Sequence, residues 1–132
     1  MNYKFREIFK DTVLSSVQWF ENKSTEKNRL TYDEKGKLTD KGNGAVYVYI
    51  KEGKPLYVGE TSRPIKRRMH DVTSPHKKKA WWETWDTVKF VNLTDKTDRL
   101  TLELLLIIGL KPTENIEPAA RDINRMFDLD QQ

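Results

Sequence analysis

The sequence predicts an α/β domain: a small central antiparallel sheet of about three strands flanked by helices, with an added helix at the N-terminus. Three observations predict it. Residues 44–59 read as a hairpin, two β-branched and aromatic runs about a turn marked by Gly53 and Pro55. Residues 3–20 carry apolar side chains at helical spacing. Residues 100–110 form an apolar run preceded by helix-start residues and closed by Gly109 and Pro112. A chain of 132 residues, 36% hydrophobic and 33% charged, fits one domain with a modest core. No apolar run reaches the length of a membrane span and no signal-peptide pattern opens the chain, so a cytoplasmic protein with no membrane partner is expected. The chain has no cysteine, which excludes disulfides and thiolate zinc sites. A net charge of +4 is compatible with a polyanion partner.

In the first helix Phe5, Phe9, Val13, Val17 and Phe20 recur at steps of three and four, an inner face for packing on the same domain. Its polar positions mix charge signs and lack the Lys/Arg bias of a membrane-surface helix. From Asn22 to Asn43 the chain turns polar and periodicity is lost. That segment reads as a loop, with room for a small hairpin pairing Leu30–Tyr32 with Leu38 about Gly36. The hairpin strands follow at Ala45–Ile50 and Leu56–Val58. Side chains alternate along a strand, so Val46, Val48 and Ile50 share one face with Leu56 and Val58, and Tyr47 and Tyr49 take the other. Tyr57 then falls beside Gly59, where a missing side chain permits close approach of a ligand or another backbone. Tyr47 and Tyr57 either line one polar surface or pack as strand tyrosines commonly do.

Ser62 caps and Pro64 opens a short helix to about Asp71. Ile65 and Met69 would face the core, with Arg63, Arg67 and His70 on the opposite side. Together with Lys66 and Arg68 these make either a phosphate site or a solvated basic face. After Thr73-Ser74-Pro75 comes His76-Lys77-Lys78-Lys79-Ala80-Trp81-Trp82-Glu83-Thr84-Trp85. Its cations suit phosphate and its rings suit sugars or bases, although three tryptophans so close together point to at least two in the core. Thr87–Leu93 alternates as a third strand, Val88 and Phe90 opposite Val91 and Leu93. The helix over Leu100–Leu110 is apolar on nearly every side and is expected to be the most buried element. Glu103 is its only charge and falls between Leu106 and Ile107 on the helical wheel. A carboxylate there is costly unless it is paired, protonated or bound to metal. Lys111–Asn115 is a loop, and a last helix is expected from Pro118 to Phe127.

Taken in order, Ala45-Val46-Tyr47, Tyr57-Val58-Gly59, Arg67, Glu103 and Asn115 resemble the motif series of the GIY-YIG nuclease superfamily. That superfamily includes intron-encoded homing endonucleases, the nuclease half of the bacterial nucleotide-excision-repair incision subunit and some restriction enzymes. The resemblance covers about Gly44 to Asn115. Arg67 stands ten positions after Tyr57, and Asn115 twelve after Glu103, behind a proline. Ala45 replaces the family's first glycine. The family's histidine four residues past the arginine is Asp71 here, which leaves His70 or His76 to assist. The chain then divides into an N-terminal helix and polar connecting segment, 1–43, and a nuclease-like domain, 44–128.

The resemblance implies a metal-dependent DNA endonuclease that hydrolyses phosphodiester bonds. Glu103 would bind one Mg²⁺ or Mn²⁺, hard cations that favour carboxylate oxygen. Arg67 would stabilise the charged transition state. Tyr47 would activate or position the attacking water, helped by Tyr57 or His70; a tyrosine base needs its pKa of about 10 lowered, as a nearby Arg67 would do. Asn115 would orient the site through hydrogen bonds. Arg63, Lys66, Arg68, His76, Lys77, Lys78 and Lys79 would hold the DNA backbone. The alternatives are a non-cleaving nucleic-acid-binding module on the same fold and a protein-interaction domain with a basic surface.

Overall fold

The computed structural model describes residues 4–29, 43–65 and 79–115 of the chain. They form two α-helices, α1 (Phe5–Lys23) and α2 (Lys96–Leu110), and four strands, β1 (Thr25–Asn28), β2 (Ala45–Lys51), β3 (Lys54–Thr61) and β4 (Thr87–Asn92). A short 3-10 helix spans Ala80–Glu83. The strands build one antiparallel sheet in the order β1-β4-β2-β3. The α/β class and the antiparallel sheet agree with the sequence reading; the strand count is four, not about three. The added strand, β1, lies in the segment read as loop. It is Thr-Glu-Lys-Asn, short and largely exposed, and has no apolar alternation to betray it. Pairing with β4 makes it a strand, and its charge and brevity suit a sheet edge. The small hairpin expected over residues 30–38, the helix after Pro64 beyond Ile65, and the last helix from Pro118 fall outside the described residues.

The β2–β3 hairpin closes through Glu52 and Gly53, both in the left-handed region (φ 50° and 78°), with Lys51 facing Lys54. This two-residue geometry matches the sheet twist. Glu52, which has a side chain to accommodate there, donates its N–H to the Asp86 carboxylate at 2.8 Å. The register slips between Tyr49 and Ile50, opposite Pro55, which has no N–H to offer. After the slip Leu56 joins the cluster on the tyrosine side, not the Val58 side where alternation alone puts it.

Period-2 alternation gives the sheet two apolar faces. On one, Val46, Val48 and Val58 meet Phe20 of α1 and Leu102, Leu106 and Ile107 of α2. On the other, Tyr47, Tyr49, Val88 and Phe90 meet Ile65 and the tryptophans of the 3-10 segment. α2 starts at Asp95, whose side chain accepts the Asp98 N–H at 2.9 Å. It stops at Lys111, which turns left-handed (φ 51°) just before Pro112.

Three expectations about the helices are corrected. Phe5 is 70% exposed, not part of an inner face, because α1 meets its partners around Val13, Val17 and Phe20. Leu100 and Leu104 are also exposed, so α2 is not enclosed on every side. Gly109 does not end α2. It lies inside the helix, where a Cβ would come within 2.6 Å of Val17 Cγ2 and 2.9 Å of Val13 Cγ1. Val13 and Val17 of α1 pack directly against it. Alanine there gains about 1 kcal/mol of helix propensity and loses about 1–3 kcal/mol to overpacking against stiff β-branched neighbours. Gly109→Ala is therefore expected to destabilise wild type in urea melts but to stabilise a background that carries both Val13→Ala and Val17→Ala. The same sign in both backgrounds removes the packing explanation.

Candidate functional site

Tyr47 lies on β2 directly opposite Gly59 of β3. The tyrosine ring covers the glycine: a Cβ on Gly59 would sit 2.5 Å from the Tyr47 hydroxyl oxygen and 2.6 Å from its Cζ. The space left by the missing side chain is thus filled by Tyr47 itself rather than kept for a ligand. Tyr57 shares that face, two residues before Gly59, and stacks on Trp81 with centroids 5.0 Å apart and planes at 19°. Tyr47 and Tyr57 are therefore brought together on one face, but not on a polar surface. Tyr47 is 1% exposed, Tyr57 is half-buried, and Trp81, Trp82 and Trp85 are all buried with Tyr49 among them. The buried rings brace the sheet.

Arg29, just past β1, holds the tryptophan turn from outside. Its guanidinium carbon stands 4.7 Å from the Trp85 ring centroid, and Nη1 donates to the Trp82 carbonyl at 2.7 Å. The sequence offered no signal for this contact, since Arg29 lies in a polar stretch 53 residues from Trp82.

Asn115 reaches the second motif directly. It is 5% exposed. Its Oδ1 accepts the Val58 N–H and its Nδ2 donates to the Val58 carbonyl, both at 2.8 Å. β3 is an edge strand, so these two backbone groups face away from β2 and have no ladder partner on that side. The asparagine amide, with one donor and one acceptor in line, supplies both. Glu114 N–H donates to the Leu56 carbonyl at 2.8 Å and extends the same edge contact.

Glu103 is half-buried on α2, which packs on the valine face, the opposite layer from the Tyr47 ring. One turn earlier on α2 is Arg99, a residue that sequence reading did not single out because Leu100–Leu110 masked the start of the helix. Arg99 is 5% exposed; Nε donates to Glu60 at 3.0 Å, and Nη1 to the carbonyls of Leu93 (3.1 Å) and Thr94 (2.7 Å). The buried guanidinium is paired and hydrogen-bonded, as burial of a charge requires.

Of the basic residues, Arg63 and Lys79 are exposed, and Arg63 N–H donates to Thr61 Oγ1 at 3.1 Å. Ile65, fully buried in the tyrosine–tryptophan cluster, anchors the start of the segment that carries the others. Arg67, His70, Lys66, Arg68, His76, Lys77 and Lys78 lie outside the described residues. Among the described residues no three His, Cys, Asp or Glu side chains gather as a metal cage. If a Mg²⁺-like ion binds at the motif residues, Glu103 is the described carboxylate that would hold it, with water completing the shell, a mode that such ions use. Among the described residues no helix is long and apolar enough to cross a membrane. Compared with protein-family models, curated proteins and solved structures, the chain matches none.

Proposed function

We propose that this chain is a divalent-metal-dependent DNA endonuclease of the GIY-YIG type, hydrolysing phosphodiester bonds. The observation that carries the reading is that the last motif residue, Asn115, meets the hairpin formed by the first two motifs. Asn115 pairs both backbone groups of Val58, 57 residues away, in the middle of Tyr57-Val58-Gly59. Tyr47, from the first motif, lies over Gly59, from the second. In this reading Glu103 holds the cation, and Asn115 fixes the strand that bears Tyr57. Tyr57, the half-buried one of the two, positions the attacking water and as the phenolate takes up its proton, with His70 or His76 assisting, while Tyr47 holds Gly59 from the buried side. Arg67 offsets charge on the phosphate in the transition state, and the exposed Arg63 and Lys79 contact the DNA backbone. The chemistry that Mg²⁺ or Mn²⁺ supplies when bound is polarisation of the phosphate and stabilisation of the leaving oxygen.

One observation favours a binding module without cleavage: Tyr47 is only 1% exposed, which keeps a candidate base away from bulk water. Incubation of pure protein with supercoiled plasmid separates the readings. The nuclease reading expects nicked or linear product with Mg²⁺ or Mn²⁺ and none with chelator. Absence of product from plasmid, single-stranded and branched DNA with either metal, alongside retained salt-sensitive binding, selects the binding module.

A further inference from the structure

We propose that α1 carries a docking surface for a second copy of this chain, paired antiparallel with α1 of its partner. The proposal stands apart from the nuclease reading. Besides its inner residues Val13, Val17 and Phe20, α1 has a second stripe: Phe5, Ile8, Thr12, Ser15, Trp19 and Asn22. These positions follow one another at steps of three and four, the spacing of a coiled-coil seam. None of them is buried; Phe5 is 70% exposed, Ile8 62% and Trp19 41%. A fully covered large side chain buries about 150–250 Å², so these three leave on the order of 300 Å² of apolar surface in water. Apolar patches of that size are often functional. A groove of about 550 Å³ runs along the stripe, lined by Ile8, Trp19 and the short side chains between them, with Leu102 of α2.

The order of the stripe is self-complementary. Laid antiparallel on itself about a two-fold axis, it sets Ile8 against Trp19 of the partner, Thr12 against Ser15 and Phe5 against Asn22. Each pair is equally spaced about the midpoint of Val13 and Leu14, and each meets twice, as an isologous interface requires. Large side chains stand towards the ends and small ones in the middle, so the helices can approach closely at the centre while Trp19 lies beside Ile8. Two hydroxyls in the middle already donate within the helix. Thr12 Oγ1 donates to the Ile8 carbonyl at 3.1 Å, and Ser16 Oγ to the Thr12 carbonyl at 2.8 Å. Covering them therefore costs little desolvation. Charge favours the same occupant. α1 holds Arg6, Lys10 and Lys23 against Glu7, Asp11 and Glu21, so two copies of it do not repel although the chain carries +4. A polyanion finds no basic face there. Two such stripes bury roughly 1,000 Å² in total, the low end of specific interfaces, which makes a reversible dimer rather than an obligate one. α1 packs on the valine side of the sheet, so the pairing lies across the sheet from the tyrosine–tryptophan side.

Sedimentation equilibrium of the whole chain tests this. Between about 1 and 200 µM the average mass is expected to rise from one chain towards two, with a dissociation constant on the order of 10–100 µM. Ile8→Lys and Trp19→Ser alter exposed residues, so both variants are expected to fold with unchanged circular dichroism. Each should weaken the dimer about tenfold or more, since aromatic and aliphatic anchors carry most of such an interface. The chain has no cysteine, so cross-linking can read the register. Ile8→Cys protein mixed with Trp19→Cys protein should give a disulfide-linked dimer on mild oxidation. Either protein alone should not, because like positions then lie about 16 Å apart along the helix, beyond disulfide reach. A dimer that both substitutions leave intact, or cross-linking of the mixture no greater than of either protein alone, overturns the proposal. Wild type that stays monomeric at about 200 µM overturns it too and leaves the stripe to a different partner.

Discussion

Asn115→Ala is expected to lower folding stability by about 2–4 kcal/mol, a large loss for one side chain on an edge strand. Two hydrogen bonds disappear, each worth about 1 kcal/mol net, and the Val58 N–H and carbonyl are left unpaired in a buried place, at about 1–3 kcal/mol each before water enters the gap. Asn115→Asp sharpens the test. The carboxylate still accepts the Val58 N–H, but its second oxygen faces the Val58 carbonyl, acceptor against acceptor. Burial against an acceptor raises the pKa of an introduced carboxyl above the usual ~3.9, and the protonated form donates as the amide did. The folded state then binds more protons than the unfolded one. Relative to wild type, the Asp variant is least stable at neutral pH and recovers as pH falls through the raised value. Urea melts at pH 7 and near pH 4.5 measure both variants. An Asn115→Ala loss below about 0.5 kcal/mol, or a pH-independent deficit in Asn115→Asp, would show that the Val58 clasp contributes little. Because Val58 lies between Tyr57 and Gly59, the same lesion should also reduce cleavage.

Glu103→Gln is expected to remove metal-dependent cleavage by at least two orders of magnitude, about 2.7 kcal/mol in the barrier. Gln is nearly isosteric but lacks the charge that a hard cation seeks. Glu103 is half-buried, not enclosed, so the desolvation cost of its ionised form is modest. Glu103→Gln should therefore stay within about 1 kcal/mol of wild type in chelator. Wild type should gain stability as Mg²⁺ or Mn²⁺ is added, following occupancy of the site, and the variant should not. Paired thermal melts with and without metal read both effects. A Gln variant that melts several degrees lower in chelator makes Glu103 a structural ion-pair partner and takes away the metal assignment.

The sheet faces were legible because alternation is a local property of an extended backbone. Val46 and Val48 part from Tyr47 and Tyr49 whatever lies above or below them. The helix-start residues before Leu100, the hairpin turn and the α/β class were legible for the same reason: each depends on residues a few positions apart. The motif residues could also be named from order and spacing, but their surroundings could not. Tyr47 and Tyr57 were placed on one face, but whether that face is a polar surface or packed stayed open, because the tryptophans that cover it lie more than twenty positions after Tyr57.

By itself the sequence determined an α/β chain with an antiparallel hairpin and the alternation of side chains along its first strand. Tertiary structure decided that Thr25–Asn28 becomes a strand, that Gly109 is a helix crossing rather than a helix end, and that Phe5 stays exposed. It also decided that Arg99 and Asn115 tie distant segments to β3. The physical reason is common to all of these. Propensity and periodicity follow from a residue's own backbone, whereas burial, edge pairing and the satisfaction of polar groups require a partner surface, which only the folded arrangement supplies.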